Sequence, residues 1–154
     1  MIDRQPVTDA VQALLAALTG KPVGLETVPL DAHNEPYPPP YTLLYPLDHD
    51  SDDGTLADRH SAAVSDYQAT FVSGPTPGKP DSRGTTVQAQ WLADRGRKVI
   101  ERPPGDAKGY AHPLTIPGVT CYRRTAKEAG GTSDPNDAII TAVIRFRFYL
   151  EATA

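Results

Sequence analysis

The residues best suited to chemistry in this chain are arginines, and their spacing places them on strands. Arg145 and Arg147 lie two apart in a segment that alternates apolar and polar residues, so both project from one face, together with Tyr149. Arg123 and Arg124 are adjacent on the preceding strand and therefore point to opposite faces. If the two strands pair, one sheet surface gathers at least three guanidiniums. Two readings of that surface stand side by side. The arginines are solvated charges that keep a sheet soluble, or they meet carboxylates of a neighbouring subunit, for which the planar guanidinium fork is suited.

The second candidate is acidic. Asp48, Asp50, Asp52 and Asp53, followed by Gly54, resemble the start of a calcium loop, in which alternate carboxylates converge on one ion. The bidentate glutamate such a loop requires is missing: the corresponding position is Arg59 or Ser61, depending on where the run is started. A solvated acidic loop is the expectation. His33, His49, His60 and His112 all fall in predicted loops, and none has the four-residue spacing of a helical metal pair, so they read as surface histidines. Cys121, the only cysteine, reads as a small core residue on a strand and has no partner for a disulfide. Arg95, Arg97 and Lys98 read as the wet face and favourable C-terminal charges of a helix. The sequence holds no G-x-S-x-G nucleophile elbow, no G-x-G-x-x-G and no G-x-x-x-x-G-K-[ST] loop, so neither acyl transfer from such an elbow nor nucleotide chemistry is indicated. No metal, no cofactor and no catalytic residue is expected.

Composition bounds the rest. The 154 residues suit one domain with one core, and a formal net charge of −4 from 15 basic and 19 acidic residues gives no general attraction for nucleic acid. The N-terminus lacks the basic and apolar regions of a signal peptide, and no apolar run approaches the ~20 residues of a membrane span. A soluble, unprocessed protein made in a reducing cytoplasm is the expectation. The 16 prolines cluster in connections rather than spreading evenly.

The elements that must carry these side chains follow from periodicity. Thr8 to Leu18 carries Val11, Leu14, Leu15 and Leu18 at helical spacing, with Thr8 or Asp9 as cap and Gly20 as stop. Val23 to Leu30 and Tyr41 to Leu47 read as short strands, joined by a stiff, unpaired connector that ends in Pro38, Pro39 and Pro40. Val64 to Ser73 alternates Tyr67, Ala69 and Phe71 against Asp66, Gln68 and Thr70, a strand with one wet side. A second helix runs from Thr85 or Thr86 to Glu101 with Ala89, Leu92, Gly96, Val99 and Ile100 inward and Val87 and Trp91 beside them. Strands around Val119 to Thr125 and from Ala138 to Leu150 close the chain. The last, at ~13 residues, exceeds the usual ~5 to 6, so part of it is expected to project or to pair with another chain. The prediction is a single α+β domain, a mostly antiparallel sheet with two helices packed on one face, in the order α-β-β-β-α-β-β, with loops at 31–40, 48–61, 74–84, 103–115 and 127–137.

Taken in order, these pieces resemble a family: the tail terminators of siphophages, above all those of actinobacterial hosts, and more distantly the lambda-like terminators. The similar features are an N-terminal helix before a strand, Tyr67-Gln68-Ala69-Thr70-Phe71-Val72, the helix with Gln88-Ala89-Gln90-Trp91-Leu92-Ala93-Asp94-Arg95, then Ile116-Pro117-Gly118-Val119. Arg123-Arg124, the loop around Asp134 and Pro135, and the closing Arg145-Phe146-Arg147-Phe148-Tyr149-Leu150 are similar too. The resemblance implies a structural virion protein without catalytic residues. A protein of that kind is expected to form a homohexameric ring at the head–tail interface that caps the tail tube, stops its polymerisation and joins it to head-completion proteins, with DNA passing through unread. Arg123, Arg124, Arg145, Arg147 and Tyr149 then become candidate subunit-interface residues, and Asp48, Asp50, Asp52 and Asp53 a candidate channel-facing loop. The acidic 48–57 segment and the proline-rich 31–40 connector depart from compact members. Two alternatives are another neck or head-completion connector, and a small-molecule binding module on the sheet face with Tyr122, Tyr149 and the arginines.

Overall fold

A computed structural model describes residues 1–54, 61–79, 81–132 and 138–153. Helix α1 spans Arg4–Thr19, strand β1 Val23–Leu25, β2 Tyr41–Asp52, β3 Ala62–Ser73, helix α2 Thr86–Arg97, β4 Val119–Glu128 and β5 Ile140–Ala152. A 3-10 turn, Lys98–Ile100, extends α2. The expected α+β order is present. The five strands form one sheet in the order β1-β2-β3-β5-β4, antiparallel except for the parallel β1–β2 pair, so the sheet is mixed rather than purely antiparallel.

Helix α1 begins a turn earlier than its apolar stripe suggests, because Pro6 sits in the first turn, where a missing N–H costs no hydrogen bond. Val7, Val11, Leu14 and Leu15 are buried, and Gly20 closes the helix at φ 66°, its N–H reaching the Ala16 carbonyl. Strand β1 is shorter than expected. It stops at Leu25, where Glu26 adopts φ 64°, and Leu30 is held only by an isolated bridge to Pro36. The connector that follows is not unpaired: the Asp31 carboxylate accepts the N–H groups of His33 and Glu35 at 2.8 and 3.0 Å.

The first half of the acidic segment is strand rather than loop. Strand β2 continues through Asp52, past an irregularity between Pro46 and His49, because Ala62–Ser65 offers it a ladder. The other strands likewise exceed their apolar cores. β4 runs to Glu128, and beyond it Ala129, Gly130 and Thr132 still exchange backbone hydrogen bonds of 2.9–3.0 Å with Val143 and Thr141. Residues 133–137, the tip of the expected hairpin loop, lie outside the described residues, as do 55–60 of the expected 48–61 loop.

Strand β5 does not project. Ile140 to Glu151 pairs with β3 and Ile144 to Ala152 pairs with β4, so its length is that of a strand bonded on both edges. Ile140, Ile144, Phe146, Phe148 and Leu150 point into the core, where α2 covers β3 and β5 and α1 covers α2, β1 and β2. Tyr67 meets Phe148 edge-on at 5.8 Å between centroids. Val87 and Trp91 are not beside this core: they are 78% and 42% exposed, on the outer side of α2. Among the described residues, no helix is long and apolar enough to cross a membrane.

Helix α2 reaches the sheet closely only because of Gly96. A Cβ placed there would stand 2.3 Å from the ring of Phe71, which is fully buried. Gly96→Ala is therefore expected to destabilise the fold by about 1–3 kcal/mol through overpacking, despite alanine's better helix propensity. Urea unfolding checks it, and an unchanged or raised midpoint would contradict the packing described.

Candidate interaction surface

Both helices lie on one side of the sheet, and the other side is open. The register assigns its side chains. One row across the sheet runs Asp50, Val64, Tyr149, Arg123; the next contains Asp66, Arg147, Thr125; a third runs Tyr45, Gln68, Arg145, Lys127. The sequence places Arg145, Arg147 and Tyr149 on one face, and they do share it. Arg123 joins them, its guanidinium 5.2 Å from the Tyr149 ring centroid, with Tyr122 beside Tyr149 at 6.1 Å.

Arg124 does not belong to that surface. It is 7% exposed and points to the helix side, where its Nη1 donates to the carbonyls of Val99 at 3.0 Å and His112 at 2.8 Å. Its guanidinium packs 4.5 Å from the Tyr110 ring, whose hydroxyl accepts the Arg124 N–H at 2.7 Å. Carbonyl oxygens and a π face thus take the place of a carboxylate around a buried cation. Arg124 pins the 103–115 loop to the edge strand, and Tyr110 occupies part of that strand's outer backbone. Cys121 shares this environment; burial pushes its thiol pKa up, against the opposing pull of Arg124, so the thiolate a nucleophile needs is disfavoured.

Within the open face, Arg147 holds Asp66 in a bidentate pair, Nε to Oδ1 at 2.7 Å and Nη2 to Oδ2 at 3.0 Å. The Asp66 hydrogen bond is the main cause that raises the Arg147 pKa further, so this guanidinium stays charged at any relevant pH. One of the arginines thus has its carboxylate within its own chain. The side chains of Arg145 and Lys127 make no hydrogen bond or ion pair among the described residues, yet the two are direct cross-strand neighbours. They flank a cleft of about 470 Å³ whose wall also includes Asp48, Asp66, Arg147 and Tyr149. Asp66 and Lys127 were missed as surface partners by sequence reasoning. The alternation of β3 put Asp66 on a wet side, but only the register brings it to Arg147.

The acidic residues do not converge on an ion. Asp50 and Asp52 follow one another along a strand, Asp52 accepts the Gly54 N–H at 2.9 Å, and Asp53 binds the Met1 ammonium at 2.6 Å. Among the described residues no group of three or more His, Cys, Asp or Glu could hold a metal. His49 is not a loop residue. From β2, its Nε2 lies 2.9 Å from the Ile2 carbonyl and its Nδ1 2.6 Å from the Ser65 hydroxyl. Since a carbonyl only accepts, Nε2 donates to Ile2, while Nδ1 and the Ser65 hydroxyl share the second hydrogen bond. Ser65 is 1% exposed, so this pair ties the N-terminus to the sheet rather than offering a nucleophile to solvent. Arg97 forms an ion pair with Glu128, and Arg95 lies 4.8 Å from the Trp91 ring, so two cations of that helix face have partners in the fold. His60 lies outside the described residues.

A second cleft of about 470 Å³ opens between α2 and the β4–β5 hairpin, lined by Ala89, Ala93, Asp94, Gly130 and Ile144 among others. Its walls mix apolar side chains and glycines with Gln90 and the carboxylates Asp94 and Glu128, the latter already paired with Arg97. No protein-family model matches the chain. A search of the curated proteins likewise finds no match.

Two predictions arise from these contacts. Arg124→Met keeps an apolar stem but strands the Val99 and His112 carbonyls, so stability should fall by about 1–3 kcal/mol. Amide exchange of Ala111, bonded to the Glu101 carbonyl at 2.9 Å, should quicken with it; unaltered exchange and melting would contradict the pinning role. The Met1 ammonium and the Ser61 hydroxyl hold the Asp53 carboxyl pKa below its ordinary value. A folded-state pKa lower than the unfolded one stabilises above the unfolded carboxylate range and is lost as pH falls through the folded value. Asp53→Asn should therefore lower the melting temperature slightly at neutral pH and not at the acid end, a trend that melting curves across pH 2–7 (about the carboxylate range) would reveal.

Proposed function

We propose that this protein is a structural subunit that assembles with copies of itself into a ring of the tail-terminator type. In this reading the ring is a hexamer that caps the head-proximal end of a phage tail tube and stops its growth. It joins the tube to a head-completion protein at the head–tail interface of the virion, and DNA passes through it without sequence-specific contact. Assembly, not catalysis, is the activity.

The observation that carries the self-packing part is the uncovered face of the sheet. Tyr41, Leu43, Tyr45, Val64 and Val143 lie on that side among the charges, all half-buried although no helix covers them. A sheet face that serves only to meet water alternates apolar-in with polar-out, whereas an extended apolar and aromatic surface marks an interaction site. The order of elements and the residues similar to the terminators supply the type of assembly. The described candidates for chemistry support the same reading: Ser65 is enclosed, and Cys121 is held toward the thiol.

Sedimentation and negative-stain electron microscopy of the purified protein test the ring, and labelled antibody on assembled virions tests its place. The expected results are a ring-sized species and label at the head–tail junction. A protein that stays monomeric at high concentration, with label elsewhere on the particle, would overturn the reading; label on the portal side alone would assign it to another neck component.

A further inference from the structure

Apart from the Arg147–Asp66 pair and Asp48, which lines the same cleft as Arg145 and Lys127, the charges of the open face are segregated. Lys127 and Arg145 face each other directly across β4 and β5, a like-charge pairing that is unfavourable within a sheet unless something lies between. The carboxylate nearest in register, Asp66, is held by Arg147 through both of its oxygens. On the far side of the sheet Asp50 and Asp52 project from β2 onto the same face, without an ion-pair partner among the described residues. The strand order puts β2 two spacings from β5 and three from β4. At ~4.8 Å per spacing that is roughly 10–14 Å. A gap of this size matches or exceeds the Debye length of ~8 Å at physiological ionic strength. Within one chain Asp50 and Asp52 are therefore largely screened from Arg145 and Lys127.

A second copy can bring them together. We propose that the basic end of the open face, Arg145 and Lys127, receives the acidic strip of another copy of this chain, led by Asp50 and Asp52. Asp50 and Asp52, two apart on one strand, present carboxylates ~6.8 Å apart, and Arg145 and Lys127, directly opposite on neighbouring strands, stand ~5 Å apart, so two long cationic side chains can reach two carboxylates at once. Each copy carries both halves of the contact at different places on its face, so the contact is heterologous and can repeat from copy to copy around a ring. It gives the acidic segment a protein partner in place of a channel wall. Nucleic acid fits the same cations less well, because the approaching surface belongs to a chain of net charge −4 with carboxylates across the same face.

This inference rests on the self-assembly reading, and charge reversal separates the two. One variant carries Lys127→Glu and Arg145→Glu; the other carries Asp50→Lys and Asp52→Lys. All four side chains are solvent-exposed, and circular dichroism melting establishes that each variant folds; the Gln and Asn versions serve if either reversal does not. Light scattering should find wild type assembled, with association weakening as salt rises. Each variant alone should remain at monomer mass, and an equimolar mixture should recover the wild-type mass. Variants that assemble alone as wild type does, or a mixture that stays monomeric while wild type assembles, would overturn this contact and leave self-assembly standing. A wild-type protein that never assembles would overturn both.

Discussion

Strand β5 is hydrogen-bonded along both edges, so its 13 residues have only their two faces with which to act. One face, Ile144, Phe146, Phe148 and Leu150, is the floor on which α2 rests, and it includes two of the largest fully buried side chains of the molecule. The other, Arg145, Arg147 and Tyr149, is the centre of the open surface. A shift of one residue in register would exchange the two sets and put guanidiniums against the helices. The apolar alternation that builds the core thus also fixes where the cations stand, and the charge pattern of the surface inherits the rigidity of the core beneath it.

Arg124 shows the same coupling from the neighbouring strand. Arg123 and Arg124 are adjacent in sequence and opposite in fate: one stacks on Tyr149 in the open, the other fastens a loop from beneath. The irregularity between Cys121 and Arg123 sets which of them turns inward. Because Arg124 and Tyr110 hold the 103–115 segment against β4, the sheet ends in a partly blocked edge, and the open face is left as the large unoccupied surface of the sheet.

Much of this was legible in the sequence wherever one periodicity dominated. The stripe of α1, the alternation of β3 and the alternation of β5 each have a buried side whose spacing reports it directly. The strand character of Asp48–Asp52 was not legible, since its aspartates bury nothing and the segment is ordered by the ladder that Ala62–Ser65 supplies from the next strand. Nor was the burial of Arg124, whose accepting carbonyls lie 12 and 25 residues away. Length alone misled for β5, because a long strand bonded on both sides and a long strand that protrudes look the same until the strand order is known. The surface was half legible: alternation gave the arginines a common face, but the Asp66–Arg147 pair and the Arg145–Lys127 opposition are properties of register.

The proposed contact between copies of this chain lies on the open face of the sheet. Oxidative footprinting of dilute and concentrated protein measures this side chain by side chain. Tyr122 and Tyr149 are expected to lose reactivity as the mass of the species rises, while Trp91, on the outer side of α2, keeps its own. Reactivity of Tyr122 and Tyr149 that stays constant while the protein assembles would contradict that contact.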